Sequence, residues 1–153
     1  MPAEAIVFGR LLEDECAAHG VSVEQYLARY DATAAQPFPG VEELLARLDR
    51  WAVASHKARV SGVAELARLG WTPEVAMFAE DFGGGVKELA PILAAFGRQG
   101  AEVVFVGDTA HDRACAREVG ATFVLAGWNA RAVPERGDVV AERPLDVLAV
   151  LRG

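Results

Sequence analysis

Four polar residues of this sequence carry side chains that together could bind a phosphate group and a divalent cation. They are Ser55, Lys87, Asp108 and Asp112. A hydroxyl beside the backbone N–H groups of a helix start cradles a phosphate, and a lysine neutralises its oxygens. Two carboxylates near a helix start are hard oxygen ligands for Mg²⁺, which takes waters and phosphate oxygens besides. These residue types predict a phosphate and magnesium site if the fold brings them together.

The elements around these residues predict that they share one edge of a β-sheet. Ser55 and Asp108 each follow an apolar run that is typical of a buried strand. Lys87 opens a predicted helix that comes after a third predicted strand. Strands and helices alternate with short connections, which predicts parallel strands, right-handed crossovers and helices on both faces. Ligands of such sheets bind beyond the carboxyl ends of the strands. The predicted fold class is therefore α/β, with three layers.

The alternation is clearest from residue 40 onward. Spacing of apolar residues and helix-ending glycines sets the boundaries there. The predicted elements are a helix at 41–48, a strand at 51–54, a helix at 57–69, a strand at 75–79, a helix at 87–96, a strand at 102–106, a helix at 110–119, a strand at 122–126, a short strand at 139–140 and a helix at 145–151.

The segment before residue 37 is predicted to be helical. An apolar stripe ending at Gly20 favours a helix over 3–19, and a capping box at Ser22 opens a second helix to about Tyr30. The short run from Ala5 to Phe8 is also compatible with a strand. We prefer the helical interpretation, because one helix then continues through to the glycine.

Each of the four residues also has a simpler interpretation. Ser55 could only cap a helix, and Lys87 could be a solvated surface lysine. Asp108 could cap the helix that follows it, and Asp112 could pair with a nearby arginine. It is their order along the chain that makes the functional interpretation the more specific one.

Four further residues lie close to these positions in sequence, and none is given a catalytic role. His56 and His111 are predicted to face solvent. Trp128 and Asn129 are predicted to belong to a loop over the same edge of the sheet, where a substrate role and packing are both open.

Length and composition define one globular domain. The chain has 153 residues, of which 52% are hydrophobic and 24% charged. A net charge of −7 argues against general nucleic-acid binding, which needs a basic surface. No apolar run approaches the roughly 20 residues that span a bilayer, and the first residues do not resemble a signal peptide, so a cytoplasmic location is expected. The two cysteines, Cys16 and Cys115, are predicted to be small hydrophobic residues in helices.

The order of the polar residues resembles three motifs of the haloacid-dehalogenase-like (HAD) superfamily. A strand followed by Ser55, then Lys87, then a strand followed by Gly107-Asp108-Thr109-x-x-Asp112 matches its second, third and fourth motifs. Residues 37–45 and 119–125 further resemble phosphoglycolate-phosphatase-like members. The resemblance implies a Rossmann-like core over residues 37–153, preceded by a helical cap remnant over residues 1–36.

The resemblance also implies a role for each matched residue. Ser55 would be the phosphate-binding hydroxyl, and Lys87 the catalytic lysine that steadies the phosphoryl group. Asp108 would bind Mg²⁺, and Asp112 would be the second acid that supports the metal site. The implied cofactor is Mg²⁺ and the implied ligand is a small phosphorylated metabolite or free phosphate.

One family motif is missing from this sequence. HAD members usually begin with a strand that ends in Asp-x-Asp-Gly-Thr, whose first aspartate attacks phosphorus and whose second transfers the proton. If the run from Ala5 to Phe8 is that strand, Gly9 replaces the nucleophile and Leu11 the acid. If the segment is helical, as we prefer, the strand itself is absent. The strands that carry Ser55 and Asp108 would then need another partner, supplied by the N-terminal segment or by a second chain.

These observations leave three hypotheses. The first is a catalytically impaired HAD-type domain that binds phosphate or Mg²⁺ weakly, or serves as an interaction module. The second is an active Mg²⁺-dependent phosphatase of small phosphate monoesters, whose nucleophile comes from a missing N-terminus or a partner chain. The third is an unrelated flavodoxin-like binding domain, in which Ser55, Lys87 and Asp108 do not form a cluster. Substrate identity is not predicted, because specificity in such enzymes comes largely from the cap.

Overall fold

The computed structural model of the chain describes residues 4–7, 37–83 and 87–152. Single turns of 3₁₀ helix at Ala79–Asp81, Gly100–Glu102 and Pro144–Asp146 join some of the longer elements. The strands are β1 (Glu4–Val7), β2 (Trp51–Ala54), β3 (Val75–Met77), β4 (Val103–Gly107), β5 (Thr122–Ala126) and β6 (Val139–Ala141). The helices are α1 (Val41–Ala46), α2 (Arg59–Leu69), α3 (Ala90–Phe96), α4 (Ala110–Val119) and α5 (Val147–Arg152).

The six strands of the described residues form one sheet in the order β3-β2-β1-β4-β5-β6, and each neighbouring pair is parallel. Successive residues of β4 point to opposite faces, so the sheet has two cores. Phe105 packs in the core that includes α3 and α4, whereas Val104 and Val106 pack in the core that includes Leu44 of α1 and Val147 of α5. Helices therefore cover both faces, as the α/β prediction required.

The first strand corrects our preferred interpretation of the N-terminal segment. The backbone of Glu4–Val7 pairs with β2 on one side and with β4 on the other. A helix at these positions is therefore wrong, and the alternative strand is right. Two causes favour the strand. The backbone groups of β2 and β4 that face each other both need a hydrogen-bonding neighbour, and Ile6 and Val7 are β-branched residues suited to a strand. The sheet is completed here by the chain itself.

The remainder of the predicted cap remnant, residues 8–36, lies outside the described residues. The predicted helices there, together with Gly9, Leu11 and Cys16, are not described by the structure. The domain boundary at residue 36 therefore remains a prediction, except that Glu4–Val7 belongs to the sheet of the core.

The predicted boundaries are confirmed for β2, α4 and β5. The helix predicted to open at Lys87 begins instead at Ala90. Pro91 lies in its first turn, where the missing N–H costs nothing, because the first turn has no intrahelical acceptor for it. Lys87 consequently lies in the segment before α3. No helix among the described residues is both long and apolar enough to cross a membrane.

Candidate phosphate site

Lys87 and Asp112 form an ion pair inside the molecule. Both side chains are 0% exposed, and Lys87 Nζ lies 2.5 Å from Asp112 Oδ1. The surface-lysine interpretation is therefore wrong, and Asp112 pairs with Lys87 rather than with a neighbouring arginine. Burial lowers the pKa of Lys87, and the Asp112 carboxylate opposes that shift. The pair joins the segment before α3 to the first turn of α4.

The other oxygen of Asp112 organises the turn between β4 and α4. Asp112 Oδ2 accepts hydrogen bonds from the backbone N–H groups of Asp108 and Thr109, at 3.2 and 3.1 Å, and from Thr109 Oγ1 at 2.7 Å. Thr109 Oγ1 in turn accepts from the Asp112 N–H at 3.1 Å, which completes a capping box. A Cβ at Gly107 would lie 2.5 Å from the Cβ of Asp112, so only glycine fits at this close approach. Both oxygens of Asp112 are thus engaged by the protein.

Asp108 lies beside this turn, half-buried, and is held by the loop that follows β5. Asn129 Nδ2 donates to Asp108 Oδ2 at 2.5 Å. Burial raises the pKa of the Asp108 carboxyl, and the neighbouring Asp112 charge raises it further. The structure therefore places Asn129 over the predicted edge and gives its amide a direct contact with a candidate metal ligand.

Ser55 follows β2 directly, as predicted, and is 4% exposed. Its backbone N–H donates to Met77 O at 3.0 Å, and its Oγ accepts from the Lys57 N–H at 3.1 Å. It does not cap α2, whose N-cap is Ala58. The helix-cap interpretation is therefore wrong, and the hydroxyl instead fixes the turn that leaves the strand.

His56 connects the Ser55 turn to Lys87. Its Nε2 accepts a hydrogen bond from the backbone N–H of Lys87 at 2.8 Å, and the residue is only 6% exposed. The prediction that His56 faces solvent is wrong, whereas His111 is exposed as predicted. An accepting Nε2 requires the neutral ring with its proton on Nδ1. His56 thereby fixes the main chain that carries the lysine.

Cys115 lies beneath the same cluster on α4. Its Sγ is 3.4 Å from the carbonyl oxygen of Lys87 and 3.4 Å from His111 Nε2. Burial raises the pKa of the thiol, which favours its protonated form. The prediction of Cys115 as a small buried residue in a helix is confirmed.

The described residues fit a Mg²⁺ ion only where other ligands assist. No group of three or more metal-binding side chains is found among them. Both carboxylate oxygens of Asp112 already contact protein groups. Of the two predicted metal ligands, Asp108 is therefore the better candidate, since the hydrogen bond from Asn129 involves its Oδ2 and not its Oδ1. Mg²⁺ is commonly bound through one carboxylate with waters and phosphate oxygens, and that is the arrangement these residues suit.

The structure therefore brings together three of the four predicted site residues through direct contacts. Lys87, Asp108 and Asp112 share one hydrogen-bonded cluster, and Ser55 is linked to it through its neighbour His56. Sequence reasoning missed the contacts made by His56 and Asn129. Their positions in the sequence were the one signal that could have indicated a role at the site, since His56 is adjacent to Ser55 and Asn129 follows a predicted strand. Their partners lie 31 and 21 residues away in sequence, and no local pattern specifies them.

Comparison with known proteins identifies the family. The family model for haloacid dehalogenase-like hydrolases matches residues 7–126, and the chain belongs to that family. The flavodoxin-like hypothesis is therefore wrong. None of the curated protein sequences compared with the chain is similar enough to count as a match.

Solved structures of this superfamily share the fold. A HAD-superfamily hydrolase of subfamily IA, variant 1, from Geobacter sulfurreducens has 15% sequence identity and a TM-score of 0.72, covering 97% of this chain and 100% of its own. A putative phosphoglycolate phosphatase from Lactobacillus plantarum also has 15% identity and a TM-score of 0.72, with 98% and 100% covered. An L-2-haloacid dehalogenase from Xanthobacter autotrophicus has 14% identity and a TM-score of 0.65, with 99% of each chain covered. At these identities the likeness concerns the fold.

Proposed function

We propose that this chain is a HAD-type phosphatase domain that retains a phosphate site but is impaired in hydrolysis. The retained part is the cluster of Lys87, Asp108 and Asp112 next to Ser55. The lost part is the carboxylate that would attack phosphorus. Its ligand would be free phosphate or the phosphate group of a small metabolite.

The observation that carries the proposal is the register of β1. Val7 pairs with Val53, and Ser55 lies two residues beyond Val53. Counting two residues beyond Val7 leads to position 9, which is glycine. A glycine has no side chain to form an aspartyl-phosphate, and position 11, a leucine, transfers no proton.

The remaining groups suit binding better than turnover. The Ser55 hydroxyl would donate a hydrogen bond to a phosphate oxygen, and the Lys87 ammonium would neutralise part of the phosphate charge. The Asp112 carboxylate holds that ammonium in place and neutralises much of its positive charge. The electrostatic attraction between Lys87 and a bound phosphate is therefore modest. Mg²⁺ would supply the missing neutralisation when bound, held by Asp108 together with phosphate oxygens and waters. We therefore expect weak phosphate binding that strengthens with Mg²⁺.

A turnover assay tests the proposal. The purified chain is incubated with p-nitrophenyl phosphate and Mg²⁺, beside a variant that carries Gly9→Asp and Leu11→Asp. We expect the unaltered chain to stay at background and the double variant to gain turnover. Adding Asp108→Asn to the double variant should remove the gain, because that change removes a metal ligand.

Two results would contradict the proposal. Turnover by the unaltered chain, abolished by Asp108→Asn alone, would favour an active phosphomonoesterase whose nucleophile lies elsewhere. A chain that binds neither inorganic phosphate nor Mg²⁺ at millimolar concentrations in calorimetry would leave only the interaction-module hypothesis.

A further inference from the structure

The loop between β5 and β6, residues 127–138, is held to the core by side-chain contacts both near its start and at its end. Near its start, Asn129 contacts Asp108 at the candidate site. At its end, Asp138 forms an ion pair with Arg113 of α4. Nothing in the proposed function requires either contact.

The first anchor has a defined orientation. Asn129 Oδ1 accepts a hydrogen bond from the Arg131 N–H at 3.0 Å, and the Asn129 backbone N–H donates to Ala126 O at 3.1 Å. With Oδ1 occupied by a donor, the amide nitrogen is the group left to face the Asp108 carboxylate. The side chain is therefore aimed at Asp108 Oδ2 by its own loop.

The second anchor is a buried, two-pronged ion pair. Arg113 Nε and Nη2 donate to the two carboxylate oxygens of Asp138 at 2.8 and 2.7 Å, and both side chains are 5% exposed. Glu135 adds a contact of 3.1 Å to Arg113 Nη1. The guanidinium also lies 5.5 Å from the centre of the Phe123 ring. Such paired geometry constrains both partners, so the end of the loop has little freedom to move.

We infer that Asn129 is a positioning residue for Asp108, and that the Arg113–Asp138 ion pair acts on the site through it. Arg113 follows Asp112 directly on α4, so one helical turn fixes both the buried lysine and the loop. The amide takes one Asp108 oxygen, Oδ2, and thereby sets the direction of the other, Oδ1, which would face a cation or a phosphate-bound water. The effect on ligand binding rests on the proposed function, whereas the coupling between Asp138 and Asn129 does not.

Calorimetry on the full-length chain tests the effect on the ligand. MgCl₂ is titrated in the presence of inorganic phosphate into the unaltered chain, Asn129→Ala, Asp138→Asn and the double variant. We expect Asn129→Ala to weaken Mg²⁺ binding about tenfold, or about 1.4 kcal/mol, because the Asp108 carboxylate loses the charge-assisted hydrogen bond that orients it. Asp138→Asn should weaken it roughly threefold, by the loss of one prong of the ion pair. The double variant should be no weaker than Asn129→Ala alone, because Asp138 acts through Asn129.

Val133→Ala is the matched control, because this side chain lies in the same loop and is 74% exposed. It should leave Mg²⁺ binding unchanged. Losses that simply add in the double variant would overturn the inference, as would an unaltered affinity in Asn129→Ala. If Asp138→Asn fails to fold, Arg113→Lys replaces it, since lysine keeps the charge and loses the two-pronged geometry.

A second measurement needs no ligand. Asn129 is the single asparagine of the chain, so its side-chain amide gives a unique assignment target in a ¹H–¹⁵N spectrum. We expect Asp108→Ala and Asp138→Ala, which add no second asparagine, to shift both amide proton signals toward the values of a solvated amide, and Val133→Ala to leave them in place. An amide signal that does not change in Asp138→Ala would refute the coupling. If the unaltered chain binds neither phosphate nor Mg²⁺, the proposed function fails while this spectrum still decides the inference.

Discussion

Replacing Lys87 with methionine should expose the energetic role of the buried ion pair. Both side chains are 0% exposed, so the change leaves the Asp112 carboxylate inside the protein without its ammonium partner. Breaking a buried pair by removing one partner costs about 3–5 kcal/mol. Asp112 keeps three hydrogen bonds from the turn at Asp108 and Thr109, so we expect a loss near the lower end, about 3 kcal/mol.

The chain contains its own control for this experiment. Lys57 is the other of its two lysines, and its side chain is 38% exposed where it pairs with Glu65. Ion pairs near the surface are worth about 0–1 kcal/mol, so Lys57→Met should cost at most about 1 kcal/mol. Urea unfolding at pH 7, followed by tryptophan fluorescence, measures the two free energies. In thermal unfolding, the Lys87→Met loss corresponds to a drop of about 6–12 °C for a domain of this size.

Equal losses for Lys87→Met and Lys57→Met would show that burial of the pair does not set its energy. The double variant Lys87→Met with Asp112→Asn tests the same idea, because it leaves no buried charge. Its loss should be smaller than the sum of the two single losses, and a simple sum would refute the coupling.

Three further outcomes follow from individual contacts. The pKa of Asp108 is raised, so ionisation of this carboxyl destabilises the fold. Asp108→Asn should therefore raise the melting temperature at pH 7, and the gain should become smaller toward pH 4. An equal gain at both pH values would contradict this expectation. Arg113 lowers the pKa of Asp138, so this carboxylate stabilises the fold above about pH 4, and its contribution is lost as pH falls through the pKa of the folded state. In urea unfolding, Asp138→Asn should have a lower free energy of unfolding than the unaltered chain at pH 7. That free energy should also fall less steeply in acid for the variant. A Cβ at Gly62 would lie 2.0 Å from Phe78 Cε1. Gly62→Ala should therefore lower the free energy of unfolding, followed by circular dichroism, by about 1–3 kcal/mol, although alanine favours helices. A more stable variant would show that Phe78 moves aside.

The N-terminal strand shows where a local pattern was insufficient. Four residues are too few to separate a helical from an extended period, and the neighbouring apolar residues continued a plausible helix. What decides the matter is the pair of strands β2 and β4, whose facing backbone groups are both paired by Glu4–Val7. That requirement arises only when residues about 50 and 100 positions away are folded alongside.

The site divides in a similar way. Asp112 was predicted from its spacing behind Asp108, and its capping box with Thr109 is local enough to be read in the sequence. The burial of Lys87 was not predictable from its neighbours, since lysine is ordinarily exposed. It is buried because Asp112, 25 residues further on, neutralises it inside the fold.

The sequence by itself determined the alternation of strands and helices, and hence the parallel sheet and the edge at which Ser55 and Asp108 lie. These follow from the period of apolar residues and from the chemistry of strand ends, both of which act over a few residues. The tertiary structure alone decided which partners the polar groups have, including His56 with Lys87 and Asn129 with Asp108. Buried polar groups must be paired, and their partners come from whichever distant segments the packed sheet brings within hydrogen-bond distance.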